Sequence, residues 1–216
     1  MSRFIIYTSR HYDKLIRALL QHLEMVGITL LISVALALVI SLLIMERKKL
    51  TEGIIRAWSM VYAIPSLALF ALLIPVTGLG MKTAILVLVI YNQYILVRSF
   101  TQGLCGMEPA VLEAAEGMGM TKWQIFTKVR LPLALDAMAA GIHIAIISTI
   151  GIATIGATIG AGGLGSILFD GMRTQNAVKI VWGTVLSVAL VLGANAVLKL
   201  AERKIKQKIY HLTDNV

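Results

Sequence analysis

Side chains able to do chemistry are scarce in this chain. Their densest group is Glu113-Ala114-Ala115-Glu116-Gly117-Met118-Gly119, followed by Met120-Thr121-Lys122-Trp123-Gln124 and closing at Leu131-Pro132. It is a polar island between long apolar runs. Its residue types suit recognition rather than bond-making: carboxylates, alanines small enough for close approach, glycines that bend the backbone, and an indole. Nowhere does the chain carry the G-x-x-x-x-G-K-[ST] loop that cradles phosphates. It also has no nucleophile elbow, no His/Cys metal set and no carboxylate pair held at one depth in the apolar runs, so no metal site is expected. The single Cys105 excludes an internal disulfide. Something is expected to dock on the island.

A second set of polar residues lies inside apolar runs. Tyr91-Asn92-Gln93-Tyr94, His143, and the hydroxyls Ser148, Thr149, Thr154 and Thr158 belong to it. Intramembrane polar groups are functional candidates by default, although small hydroxyls often only bond a helix carbonyl.

The elements that must hold these residues are membrane helices. The chain is 58% hydrophobic and 14% charged, with a mean hydropathy of +0.84, whereas soluble domains run near 45–50% and about 25%. Crossing about 30 Å of hydrocarbon takes about 20 apolar residues in a helix. Five segments qualify: Val26 to Met45, Trp58 to Val76, Thr83 to Val97, about Ala137 to Gly160, and Ile180 to Leu200. The expected fold is therefore all-α and polytopic, with a five-helix unit over residues 26–200. Pro65 predicts a kink near Ala63 or Ile64, while Trp58 and Tyr62 suit interfacial anchors. The small residues Gly141, Gly151 and Gly156 predict a tightly packed fourth helix.

Residues 1–25 are too polar for a secretory signal. Leu15, Leu19, Leu20 and Leu23 recur at helical spacing and predict an amphipathic helix lying at the interface; a short solvated lead-in is the other reading. Residues 201–216 form a basic tail that can meet anionic lipid. The net charge of +9 comes without any nucleic-acid module. With the N-terminus outside and the C-terminus cytoplasmic, 13 of the 20 Lys and Arg residues fall inside, as the positive-inside rule requires. The island then lies in a cytoplasmic loop, 98–135.

That loop reads as two short helices. Pro109 suits a first helical turn, Gly117 and Gly119 suit a C-terminal stop, and Thr121 with Gln124 forms a capping-box pattern. The second helix is expected to end at Pro132. Trp123, Ile125 and Phe126 either face a partner or pack back on the bundle; both readings stand.

Glu113-Ala114-Ala115, Gly119 four residues on, Val129 and Leu131-Pro132 resemble the EAA motif of membrane subunits of binding-protein-dependent ABC importers. Ala63-Ile64-Pro65-Ser66-Leu67-Ala68-Leu69, Gly117-Met118-Gly119-Met120-Thr121, Leu131-Pro132-Leu133-Ala134-Leu135 and Ile159-Gly160-Ala161-Gly162-Gly163-Leu164-Gly165 are similar to the osmoprotectant permeases, importers of glycine betaine, carnitine and choline. The resemblance covers about Trp58 to Leu200. Asp136 departs from it, standing where many relatives carry Pro.

The resemblance implies a permease that pairs with a second permease chain, two copies of an ATPase subunit and an extracytoplasmic binding protein. It sits in the cell membrane and acts by alternating access. ATP and Mg would be used by the ATPase, and this chain would bind no cofactor and be no enzyme. Coupling to the ATPase is implied for Glu113, Ala114, Ala115, Gly117, Gly119, Met120, Thr121, Trp123, Leu131 and Pro132. Path candidates are Pro65, Ser66, Tyr91, Asn92, Gln93, Tyr94, His143, Ser148 and Thr149; for His143 a structural role is the other reading. Aromatic faces there would suit a quaternary ammonium through cation–π attraction. Gly160, Gly162, Gly163 and Gly165 are implied near an outer gate, a close-packed turn being compatible. The alternatives are a methionine or amino-acid permease, which shares the five-helix layout, and an ion-coupled carrier, for which the carboxylates are too few.

Overall fold

Inside hydrocarbon, backbone N–H and C=O groups can bond only one another, so apolar runs of this length become helices or a closed barrel. This chain takes the first course. A computed structural model describes residues 2–213. Among them the helices are α1 (Ser2–Ile44), α2 (Lys48–Tyr62), α3 (Ser66–Thr77), α4 (Met81–Cys105), α5 (Pro109–Gly117), α6 (Lys122–Ile125), α7 (Leu131–Ile155), α8 (Leu164–Arg173) and α9 (Ala177–Thr213). Four are long and apolar enough to cross a membrane, or five when the bent pair α2–α3 is counted as one span.

Helix α4 is the centre, with α1, α7, α2 and α3 packed around it. Phe70, Phe100, Leu96 and Ile150 are fully enclosed between them. Small residues set how closely α4 and α7 approach. A Cβ on Gly141 would stand 2.5 Å from the Ser99 Cβ, and one on Gly103 would stand 2.9 Å from the Ala134 carbonyl oxygen.

Three expectations are corrected. Residues 1–25 do not form a separate helix at the interface. The backbone stays helical from Ser2 to Ile44, with His11 the one non-helical residue, so no turn near residue 25 lets the first part lie flat. Its buried face is Leu15, Ala18, His22 and Met25 with Leu19 half-buried, while Leu20 and Leu23 of the leucine stripe are exposed. Protein covers that face: Leu15 and Ala18 pack with Leu164 and Ile167 of α8.

Next, Pro65 breaks the second span instead of kinking it, and α2 and α3 meet at 92°. Proline removes a donor and disfavours helix at the preceding residue. Tyr62 therefore ends α2, beside Tyr91 and Tyr94. Third, Pro132 ends nothing. Residues Phe126–Arg130 widen into a π turn, with Leu131 N–H donating to the Phe126 carbonyl, and the helix runs on through α7. A wider turn takes up the proline ring that would clash with the carbonyl four residues back. Beyond these corrections, the glycine segment opens into the short helix α8.

At the end of the molecule away from α5 and α6, Asp170 of α8 gathers three cations. Lys179 Nζ donates to it at 2.8 Å and Arg173 at 3.2 Å, and Lys14 of α1 lies at 3.6 Å. The hydrogen bonds from Lys179 and Arg173 hold its carboxyl at about 2, below its ordinary 3.8. A depressed carboxylate stabilises the fold fully above its ordinary value, and the gain is lost as pH falls through the folded value. Asp170→Asn is expected to lower stability by about 1 kcal/mol after solvent screening, or about 2–4 °C for a chain of this size. The difference from wild type should persist from pH 7 to near pH 4 and vanish toward pH 2. Thermal unfolding of the detergent-solubilised protein across that range checks it.

Candidate functional site

The island folds into an elbow. Pro109 opens α5 at a position where a missing N–H goes unnoticed. At the far end Met120 N–H donates to the Ala115 carbonyl (3.1 Å) and Gly119 N–H to that of Glu116 (2.9 Å). This is the Schellman pair of bonds, which requires a left-handed residue, and Gly119 supplies it at φ +75°. Thr121 then caps α6 through a complete capping box: its hydroxyl accepts from Gln124 N–H at 3.3 Å, and Gln124 Oε1 accepts from Thr121 N–H at 2.7 Å.

The elbow has an inner and an outer face. Ala115 of α5 and Ile125 of α6 are buried. Ala115 is therefore part of the elbow's own packing and not of its outer surface. Glu113, Ala114, Gly117, Gly119 and Thr121 are exposed, and Met120 is half-buried. Met118 and Trp123 are 75% and 73% exposed, a large apolar area to leave uncovered. Trp123 stacks on half-buried Phe126 at 5.9 Å, so the three side chains left open by the sequence divide: Ile125 packs back, Trp123 faces out, and Phe126 joins them. Leu131 and Pro132 sit half-buried in the first turn of α7, below the elbow rather than on it. Arg130 pairs with Glu46 beyond the end of α1 at 3.5 Å, so the elbow is tied to two long helices.

The candidate path residues divide as well. Asn92, Gln93 and Thr149 are enclosed in the seam of α1, α4 and α7 and line no open path in this structure. Asn92 Nδ2 donates to Thr149 Oγ1 at 2.8 Å and to Ser33 Oγ at 3.3 Å, and Thr149 donates back to Asn92 Oδ1 at 3.2 Å. Gln93 Nε2 donates to the carbonyls of Val89 (3.2 Å) and Ser33 (3.4 Å). Polar groups bonded across helices in this way act as glue. Thr154 and Thr158 bond the carbonyls of Gly151 and Ile155 on their own turns. His143 Nδ1 lies 2.8 Å from Asn195 Oδ1, and its Nε2 lies 3.6 Å from Glu202, which joins α7 to α9. Ser148 is half-buried on α7.

What remains gathers at the Pro65 break. Tyr91 donates its hydroxyl proton to the Ile64 carbonyl, one of those that the break leaves without a helical partner. The Tyr62 ring lies 5.5 Å from that of Tyr91 and 5.1 Å from that of Tyr94. Arg98 Nη1 donates to the Tyr94 hydroxyl at 2.7 Å, and its guanidinium carbon lies 5.8 Å from the ring centroid. Pro65 is exposed and Ser66 half-buried beside them. Tyr62 and Arg98 were absent from the sequence-derived set. An arginine two turns short of the end of an apolar helix was the available signal.

At the opposite end, Gly160, Gly162 and Gly163 hold φ of 79°, 79° and 74°, and Gly165 lies against the Thr154 backbone of α7. The loop is a close-packed turn.

Comparison with known proteins follows the same lines. Residues 29–209 match the family described as binding-protein-dependent transport system inner membrane component. The chain is 33% identical over 185 residues to the glycine betaine/carnitine/choline transport system permease protein OpuCD of Bacillus subtilis, covering 86% of this chain and 81% of that one. It is 45% identical over 125 residues to the ergothioneine transport permease/ergothioneine binding protein EgtU of Helicobacter pylori, covering 58% of this chain and 23% of that longer protein. The fold is similar to inward-facing structures of the MetNI methionine ABC transporter, with a TM-score of 0.76 and 26% identity over 90% of this chain and 95% of that one.

Proposed function

The chain belongs to the family of inner membrane components of binding-protein-dependent transport systems and is a permease subunit of an ABC importer, and on that footing we propose that it forms the path for a quaternary-ammonium solute. The importer's ATPase hydrolyses ATP; this chain is not an enzyme. Two permease chains enclose the path, and two ATPase subunits, with their ATP and Mg, sit beneath the elbows. The N-terminus and the α7–α8 loop face outside, where the binding protein delivers its load, and the elbow and C-terminus face the cytoplasm. Closure of the ATPase pair pulls on α5 and α6, and through the Arg130–Glu46 pair and the continuous α6–α7 helix the motion reaches α1 and α7.

The observation that carries the choice of cargo is the tyrosine group at the broken helix. Discontinuous helices near mid-membrane are where transporters handle their cargo. The C-terminal end of α2 presents carbonyls and the negative end of a helix dipole there. Tyr62, Tyr91 and Tyr94 surround that end, and aromatic faces attract quaternary ammonium ions. Carnitine, glycine betaine, choline and ergothioneine, the solutes in the names of the relatives, all carry a trimethylammonium group. Asn92, Gln93 and Thr149 hold helices together on this reading, and His143 does likewise between α7 and α9.

Methionine is the second reading, favoured by the likeness to MetNI. Methionine offers no quaternary ammonium for the tyrosines. Uptake of labelled glycine betaine, carnitine, choline, ergothioneine and methionine into proteoliposomes holding the whole transporter separates the two. The expected outcome is uptake of at least one trimethylammonium solute, slowed about tenfold by Tyr62→Ala, the scale of one lost cation–π contact. Uptake of methionine alone, or Tyr62→Ala at the wild-type rate, overturns the proposal.

A further inference from the structure

The glycine loop between α7 and α8 is held in shape by a helix far away in sequence. Gly163 caps α8 and brings no side chain to bond the free N–H groups of the first turn. Two N–H groups at this end, those of the cap and of the first helical residue, are met from α1. Gly163 N–H donates to Gln21 Oε1 and Leu164 N–H to His22 Nδ1, each at 3.3 Å and each across 142 residues. A Cβ at position 162 would stand 2.7 Å from Gln21 Oε1, and one at 163 would stand 2.8 Å from His22 Nδ1. The glycines are therefore where these two α1 side chains come against the loop backbone. His22 is fully buried. One to two turns back along α1, Leu15 and Ala18 pack with Leu164 and Ile167 of α8. The rest of the loop is held by Gly160 N–H to the Ala157 carbonyl and Ala161 N–H to that of Gly156, each at 3.1 Å, by Gly80 N–H to the Ile159 carbonyl at 2.9 Å, and by burial of Ile159 and Ala161 in the core. The Gly163–Leu164 end is the part met from α1.

We propose that Gln21 and His22 are positioning residues for the outer side of the path, capping α8 from another helix and so holding the Gly160–Gly165 loop closed. This rests on the permease reading and extends it. The seal on the outer side is set from α1, a helix that need not touch cargo. In alternating access, opening outside and closure of the ATPase pair are two faces of one transition, so whatever weakens the outer-closed form favours the other to the same degree. Loss of either acceptor therefore raises ATP turnover in the absence of the binding protein.

The test reconstitutes this chain with its partner permease and ATPase subunits in nanodiscs, without binding protein or solute, and measures ATP turnover per assembled complex. Gln21→Leu and His22→Leu, which remove the acceptors, are expected to raise turnover about fivefold, the weight of one net hydrogen bond. Gln21→Glu and His22→Asn keep an acceptor and stay within about twofold of wild type. A role in stability alone lowers the yield of complex without changing its turnover. Gln21 is exposed, so Gln21→Leu decides the matter even where His22→Leu reduces yield. Turnover at the wild-type level in Gln21→Leu, or an equal rise in Gln21→Glu, overturns the proposal. Failure of the wild-type chain to assemble with any ATPase overturns the permease reading instead.

Discussion

Gly119→Asp is expected to cut uptake by about a hundredfold or more in a protein that still reaches the membrane in normal amount, a loss on the scale of an interface hot spot. Little of this effect comes from the fold of this chain. Gly119 holds φ +75°, and an added Cβ meets nothing within 4 Å. Aspartate enters the left-handed region more readily than most residues, so the internal strain is about 1 kcal/mol. What changes is the outer face, where a carboxylate joins Glu113 and Glu116 at the tightest point of the turn. An unpaired charge enclosed by a docking partner is heavily penalised. Gly119→Asn adds similar bulk without the charge and is expected to retain more uptake than the aspartate. Transport in proteoliposomes, normalised to the protein inserted, checks both, and normal uptake with Gly119→Asp would contradict the docking role.

Gly165→Ala is expected to act in the opposite way, through folding rather than docking. Its Cβ would stand 1.9 Å from the Thr154 carbonyl oxygen, 2.7 Å from that carbonyl carbon and 2.8 Å from the Thr154 Cα. All three are backbone atoms of α7, so no rotamer change relieves the overlap and the two helices must part. Overpacking of a well-filled contact costs about 1–3 kcal/mol, and a clash with fixed backbone belongs at or above the top of that range. The protein should accumulate poorly and unfold at markedly lower temperature. Gly160→Ala provides the comparison. It strains a φ of +79° but meets nothing within 4 Å, which costs about 1 kcal/mol. Thermal unfolding of the two variants side by side checks the order, and equal stability would show that α7 and α8 approach less closely than described.

Much of this was legible in the sequence because it is local. The apolar runs, the Schellman stop at Gly119, the Thr121–Gln124 box and the position of the Pro65 break all depend on residues within a turn or two of one another. The size of the break did not follow, since 92° reflects how α3 packs on α4 and not what proline alone imposes. Pro132 misled because a π turn, which no residue pattern announces, lets the helix run through it. The face of α1 was misjudged because His22 counts as polar in a hydropathy pattern, yet its partner is a backbone N–H 142 residues on. Asn92 and Gln93 read as path residues for the same reason: the Ser33 and Thr149 groups they bond are about 60 residues away in the chain.

The central claim is that the exposed side of the α5–α6 elbow seats the ATPase of the importer. A photo-crosslinking amino acid placed at Met118, 75% exposed on the elbow, tests it in the assembled transporter in native membranes. The same group at Leu31, 76% exposed on the apolar flank of α1, is the control. Irradiation should join the Met118 position to the ATPase subunit, identified by mass spectrometry, and Gly119→Asp should abolish that product, while the Leu31 position gives none. Absence of the ATPase from the Met118 product, or its equal capture at Leu31, would contradict the account.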